Sequence, residues 1–330
     1  DLGASGLGRL AVSSPSPTAV AVSEETPATA FGFKLAAVSS SLAGATVAGP
    51  AGAPPQLSVD LGAANPGAGE AVRFTFDLPD GSSETITLKA TASTTPAAGE
   101  FSIGADSTAT AANLQAALSA GIGSMARTAL SAASALAASD DFFNTDAANP
   151  PQRVAGPPFE SATGFVAGNA ADTVLWYTGE AGSQPARTTA TARVDQSITV
   201  QYGTRANEEG IRWQLQNIAA LAAISMANAD PDSNERAAAL TTRLRTALDG
   251  PAGTQSVEAI QVELAGAQIS VDAAQQRHQQ TTATLSNLLG EIEGVTNEEV
   301  AAKILAMQTT LQASLQTTAK LFQMSILNYL

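Results

Sequence analysis

From residue 257 onward an apolar or small residue returns at every seventh position. The series Val257, Leu264, Val271, His278, Leu285 and Ile292 is followed three places behind by Ile260, Ala267, Ala274, Thr281, Leu288 and Val295. A seam of this period, held over about five heptads, predicts a long helix that meets a second helix in coiled-coil fashion. Gly290 and Gly294 interrupt it, and Thr296 and Glu299 then stand at capping-box spacing, which predicts a new helix start. The new segment carries Val300, Ile304, Met307, Leu311, Leu315, Thr318, Phe322, Ile326 and Tyr329, spaced at about 3.6 residues per turn as a straight helix requires. Glu298 and Glu299 sit at its positive end, and beyond Lys320 it holds no charged residue. An isolated helix is marginal in water, and full burial of each large apolar group is worth roughly 1.5–3 kcal/mol, so this stripe implies a partner surface.

Upstream the period changes. Ile211, Leu215, Ile218 and Leu221 predict one helix, and Leu240, Leu244 and Leu248 another. Alternation with a period of two marks strands at Leu57–Leu61, Val72–Leu78 and Ile86–Ala90, the last two joined by the turn Pro79-Asp80-Gly81-Ser82. Phe101 and Ile103 suggest a further strand, and Thr173–Thr178, Thr188–Val194 and Ser197–Tyr202 three more. Asp106 is a candidate N-cap for two alanine-rich helices, expected to break near Gly121-Ile122-Gly123. The resulting expectation is an α+β chain in three parts. A loosely ordered Gly/Ser/Pro-rich lead-in covers 1–55, a β-rich outward domain with alanine-rich helices covers 56–203, and a helical rod with a terminal assembly helix covers 204–330.

Sixteen Lys and Arg against thirty Asp and Glu give a net charge of −14, which repels phosphate backbones and anionic headgroups, so nucleic acid is not an expected partner. The absence of cysteine excludes disulfides, thiolate metal sites and cysteine nucleophiles. The longest apolar run, residues 218–229, falls short of the roughly 20 residues that span a bilayer, so no membrane insertion is expected. The sequence starts at Asp1 without a basic-then-apolar leader, which predicts a fragment or export without a cleaved signal. With aromatics at 5%, burial is expected to come from scattered Leu, Ile, Val and Phe rather than dense aromatic cores, each core being thin.

Chemistry-bearing motifs are few, and each has a structural reading that explains it better. Asp230, Asp232 and Asn234 imitate the start of a calcium loop, but Glu235 stands where glycine is needed and Thr241 where the bidentate acid is needed, so a helix-capping loop is predicted. His278, the single histidine, falls on the seam and reads as a polar register-setting residue. The adjacent pairs Asp140-Asp141 and Glu24-Glu25 diverge in regular structure, and Gly3, Gly6 and Gly8 lack the spacing of a phosphate-binding loop. Trp176-Tyr177 is expected to alternate within a strand, one ring inward and one outward. Arg205, Arg212, Glu208 and Glu209 form either an intersubunit network or a solvated helix end. No enzyme activity, cofactor or metal is expected.

The C-terminal wording resembles a known family. Ala273-Ala274-Gln275-Gln276-Arg277, Leu285-Ser286-Asn287-Leu288, Glu291-Ile292-Glu293, the capped helix and the terminal Leu327-Asn328-Tyr329-Leu330 are similar to the end of bacterial flagellins, including alphaproteobacterial flagellin-like proteins and hook-filament junction proteins. Tyr202-Gly203 with Arg205-Ala206-Asn207-Glu208-Glu209-Gly210-Ile211-Arg212 resembles the return from outer domains into the helical rod, so the similarity covers about 196–330. The resemblance implies an extracellular structural subunit of the flagellum, filament flagellin or alternatively junction protein, exported through the type III apparatus. Its partners would be other copies of itself, other axial proteins, and an export machine or chaperone that engages the C-terminal helix. The family's N-terminal helices have no counterpart in these residues, which predicts a terminal helix detached from the rest or disordered. The assembly surface expected is the apolar part of the first seam series (Val257, Leu264, Val271, Leu285, Ile292) and of the stripe (Val300, Ile304, Met307, Leu311, Leu315, Phe322, Ile326). An exported adhesin whose β-rich part binds glycan is the competing expectation.

Overall fold

A computed structural model describes the chain apart from residues 170, 181, 225–229, 249 and 328–330, and for 325–327 it describes the backbone only. The fold is α+β. Two compact units divide it, Asp1–Ala186 with Thr204–Ile260 and Arg187–Gly203 with Gln261–Leu330.

The first unit is built on two four-stranded sheets. One runs in the order β1 (Leu10–Ser16), β2 (Ala19–Glu24), β5 (Gln56–Asp60), β4 (Thr46–Ala51), all antiparallel. The other runs β3 (Lys34–Ser40), β6 (Ala71–Asp77), β7 (Ser83–Thr91), β8 (Glu100–Ser102), with only the β7–β8 pair parallel. Period-two alternation sends Leu57 and Val59 of β5, and Val72, Phe74 and Phe76 of β6, into one core where all are fully buried. The buried carboxylate of Glu24 ties the sheets together, accepting from the Leu35 backbone N–H at 3.2 Å and from Lys34 Nζ at 3.3 Å.

Helix α1 (Ser107–Met125) closes this core with Leu114, Leu118 and Ile122, and it touches strands of both sheets. Asp106 caps it as predicted, its Oδ1 accepting from the Ala109 N–H at 2.8 Å. The expected break at Gly121–Gly123 is absent. A Cβ at Gly121 would meet Ile86 of β7 at 3.4 Å, ordinary contact distance, and the helix continues through the glycine. The irregularity comes one turn later, as a π-helical turn over Ala126–Leu130, before α2 (Ser131–Phe143) continues. Helices α3 (Glu209–Ala223) and α4 (Ser233–Ala247) pack on α2 around Ala132, Ile224 and Leu240. Arg243 of α4 clamps the β6–β7 turn, its Nε 2.9 Å from Asp80 Oδ2 and its Nη2 3.0 Å from Glu84 Oε1.

Several expectations are corrected. Residues 10–51 are not a loose lead-in but supply β1 to β4, and β2 is buried along almost its whole length. Their composition hides them because Pro15 and Pro50 sit in edge strands at register shifts, where no ladder hydrogen bond is lost. The divisions expected at 55 and 203 therefore do not separate the units, and α3 and α4 belong with the sheets rather than with a rod. Phe33, Phe74, Phe76 and Phe101, of a residue type expected to supply burial, are all fully buried. Residues 173–178 are not a strand. Trp176 and Tyr177 do not alternate but lie 5.5 Å apart between ring centroids, and Trp176 also rests on Phe143 at 5.0 Å while donating to its carbonyl. Short antiparallel pairs take the place of longer strands, β9 (Gln152–Val154) with β10 (Phe165–Ala167) and β11 (Thr191–Arg193) with β12 (Thr199–Gln201).

Because Phe74 is enclosed by both sheets and α1, its replacement by alanine opens a cavity with no slack to collapse. Phe74→Ala is expected to lower the unfolding free energy of the first unit by about 3–5 kcal/mol, read as a lower urea midpoint in near-ultraviolet circular dichroism.

Candidate functional site

The second unit consists of the β11–β12 hairpin, most of α5 (Val257–Glu293) and α6 (Asn297–Leu327). The hairpin sits against α5 through polar contacts. Arg187 Nε lies 2.8 Å from Glu263 Oε2, Arg277 Nη2 lies 3.1 Å from Asp195 Oδ2, and His278 Nε2 is 2.9 Å from the Val194 carbonyl. His278 therefore holds a hairpin turn and is not a register residue between seam helices. The heptad positions diverge with distance from the hairpin. Val257 and Leu264 are half-buried and Ala274 is buried, but Val271, Leu285 and Ile292 are exposed, the last at 81%.

Helix α6 begins where the sequence predicts. The Gly294 N–H donates to the Gly290 carbonyl at 2.7 Å, and the Thr296 hydroxyl accepts from the Glu299 N–H at 3.2 Å, the bond an N-cap threonine makes. Glu299 turns away from the reciprocal capping bond to pair with Lys303 at 3.1 Å, one turn along. Every described side chain of this helix is exposed, and it is helical rather than disordered. At 100° per residue Val300, Ile304, Met307, Leu311, Leu315 and Phe322 fall within an arc of about 80°. They are between 42% and 72% exposed. Ile326 has its side chain outside the described residues, and Tyr329 lies outside them altogether.

The polar members of α6 are arranged to need little water. Thr309, Thr310, Thr317 and Thr318 each donate their hydroxyl to the carbonyl four residues back, at 2.6 to 2.8 Å. A threonine satisfied within its own helix presents its methyl group outward and can be desolvated at small cost. The helix is also electrically balanced, Glu298 and Glu299 against Lys303 and Lys320, although the chain as a whole is strongly acidic.

The remaining motifs are occupied locally. Asp230 pairs with Arg236 at 2.9 Å and Asp232 with Arg127 at 2.6 Å, so two carboxylates of the calcium-like loop face guanidinium groups; Asp232 precedes α4 without donating a side-chain cap. Glu208 and Glu209 accept from Gln255, and Arg205 binds the Gly182 and Gln184 carbonyls and Glu180, which fastens loops of the first unit rather than forming an outward network. Gly8 is needed for space, since a Cβ there would lie 2.4 Å from Phe33. Among the described residues no group of three His, Asp or Glu side chains is placed to hold a metal ion, and no helix is long and apolar enough to cross a membrane.

The Asp195 carboxyl is held below the usual carboxylate range, first by the Gln196 N–H that it accepts at 2.8 Å and then by the Arg277 guanidinium; both favour the charged form. A depressed folded-state value stabilises the hairpin contact above the ordinary carboxylate pKa, and that contribution is lost as pH falls through the lower, folded value. Arg277→Ala should raise the Asp195 titration midpoint only part of the way to normal, because the Gln196 bond remains; carboxyl-carbon NMR reads the shift. No family model matches the chain, and neither does any curated protein or solved structure.

Proposed function

We propose that this chain is a structural subunit that assembles by helix packing, with α6 and the distal half of α5 as its contact surface. The observation that carries this reading is a 31-residue helix whose described side chains are all exposed and whose large apolar groups share one face. A helix that ends in water does not carry six large apolar groups along a single arc unless something covers them.

Magnitudes decide how much surface is required. Full burial of the six stripe residues is worth roughly 9–18 kcal/mol, and since they are already partly covered the gain is nearer half of that. Association costs about 4–15 kcal/mol, so α6 alone is marginal. Adding Leu285, Leu288, Leu289 and Ile292 of α5, each 47% to 81% exposed, tips the balance.

The C-terminal wording favours the flagellin class for this assembly: an extracellular axial protein, with further copies of the chain and other axial proteins as neighbours. The first unit, whose core is already closed, is the outward domain in this reading. Junction proteins of the same filament are the alternative within the class, since the same terminal helices serve both.

Concentration-dependent sedimentation and negative-stain microscopy of the full chain test the reading. Elongated oligomers are expected, with α6 amides that exchange fast in dilute monomer and slowly in the assembly. The double variant Leu311→Asp, Leu315→Asp should weaken association by about a hundredfold or more while leaving the first unit folded. A wild-type chain that stays monomeric at high concentration with α6 already protected overturns the proposal.

A further inference from the structure

A cleft of about 790 Å³ opens in the first unit where α2, α3 and α4 meet the β6–β7 turn, far in sequence from the assembly helices. Its size lies within the range of about 300–1,000 Å³ usual for small-ligand sites. Within its wall Asn217 is only 6% exposed, and its side-chain amide Nδ2 has no hydrogen-bond partner. Leaving a buried amide unsatisfied is costly, and such groups are rare in folded proteins. The group is explained if a ligand supplies an acceptor.

The other polar groups of the cleft restrict what that ligand can be. Arg243 offers little to an anion, because its charge is already paired with Asp80 and Glu84 through Nε and Nη2, and its Nη1 donates to the Ala239 carbonyl at 3.2 Å, which leaves a single Nη1 N–H. Asp140 and Asp141 stand in the same wall without an ion-pair partner among the described residues. Asp140 accepts from Asn144 and Gln216 through Oδ1 alone, which leaves Oδ2 and both oxygens of Asp141 as acceptors. The cleft thus repels carboxylate and phosphate ligands and asks for several donors plus at least one acceptor, beside the apolar surfaces of Trp213, Leu136 and Pro150. Hydroxyl groups both donate and accept, and a pyranose carries them around apolar C–H faces.

We infer that the cleft between α2, α3, α4 and the β6–β7 turn is a binding site for a neutral saccharide. Asn217 donates to a ring or hydroxyl oxygen, Asp140 and Asp141 accept from hydroxyls, and Trp213 lies beside the apolar face of the sugar. An aliphatic polyamine matches the carboxylates but offers nothing to the Asn217 donor.

The test is calorimetric titration of the full chain with maltotriose, cellotriose and triacetylchitotriose, alongside sialyllactose and spermidine, with tryptophan fluorescence as a second signal. Saturable binding of at least one neutral trisaccharide at a single site, and none of sialyllactose, is expected. Asn217→Leu should weaken that binding about tenfold or more while leaving the thermal midpoint unchanged or higher, because an unpartnered buried amide is removed. Asp141→Asn, an exposed change that leaves packing intact, should weaken it as well. Spermidine binding without sugar binding, no binding of any probe, or sugar binding indifferent to both variants overturns the inference.

Discussion

Burial of one helical face holds the first unit together. Leu114, Leu118 and Ile122 of α1 are fully enclosed, and the helix that carries them touches strands of both four-stranded sheets. A sheet with one apolar face has to cover it. Here the two sheets share one cover and one aromatic cluster, with the Phe33 and Phe76 ring centroids 5.5 Å apart. What lies downstream depends on that placement. The π turn at Ala126–Leu130 redirects α2, against which α3 and α4 then pack, and Arg243 returns from α4 to the β6–β7 turn. The cleft that holds Asn217 exists because these three helices meet the turn of a sheet that α1 has already fixed.

What the sequence shows plainly is what periodicity can carry. The hairpin Val72–Ala90, the strand at Leu57, the N-cap Asp106, the restart of helix at Thr296 and the exposed apolar arc of α6 all follow from spacing and turn chemistry. Strands β1 to β4 are hidden for a definite reason: prolines tolerated at edge-strand register shifts look like loop, and β2 is buried on both sides, so it does not alternate. Gly121 misleads in the opposite sense, since it lies inside an unbroken helix whose packing on the sheets overrides glycine's weak helix propensity. Trp176 and Tyr177 sit in irregular backbone held by ring contacts, a tertiary arrangement without a local signature.

The same division applies to the sites. The proposed assembly surface is linear in the chain and is legible as a stripe, residue by residue. The cleft is not, because Asn217, Asp140 and Asp141 become neighbours only after α2 and α3 have packed, with the Ser139 hydroxyl donating to the Gln216 carbonyl at 2.7 Å along that contact. Adjacent carboxylates diverge, which argues against acid and base acting on one bond. Asp140 and Asp141 do not need to converge in that way to bind a ligand that carries hydroxyls on several sides.

The two parts of the chain have opposite relations to water, and the contrast bears on why α6 can serve as a contact surface at all. In the first unit a core of large apolar groups is enclosed, and charges such as Arg243 are paired with carboxylates. In α6 the order is reversed, yet the usual obstacles to covering it are missing. Four threonine hydroxyls are already satisfied on their own helix, so drying the face strands few polar groups. Two acidic side chains are balanced by two lysines, so the acidity of the chain lies elsewhere and does not oppose the approach of a neighbouring helix. A helix merely tolerated in solvent would be expected to carry charge around its whole circumference, as surface helices do. This one keeps its charges near its first turn and at Lys320, and leaves the length between them apolar on one side, with four of its threonine hydroxyls satisfied on the helix itself.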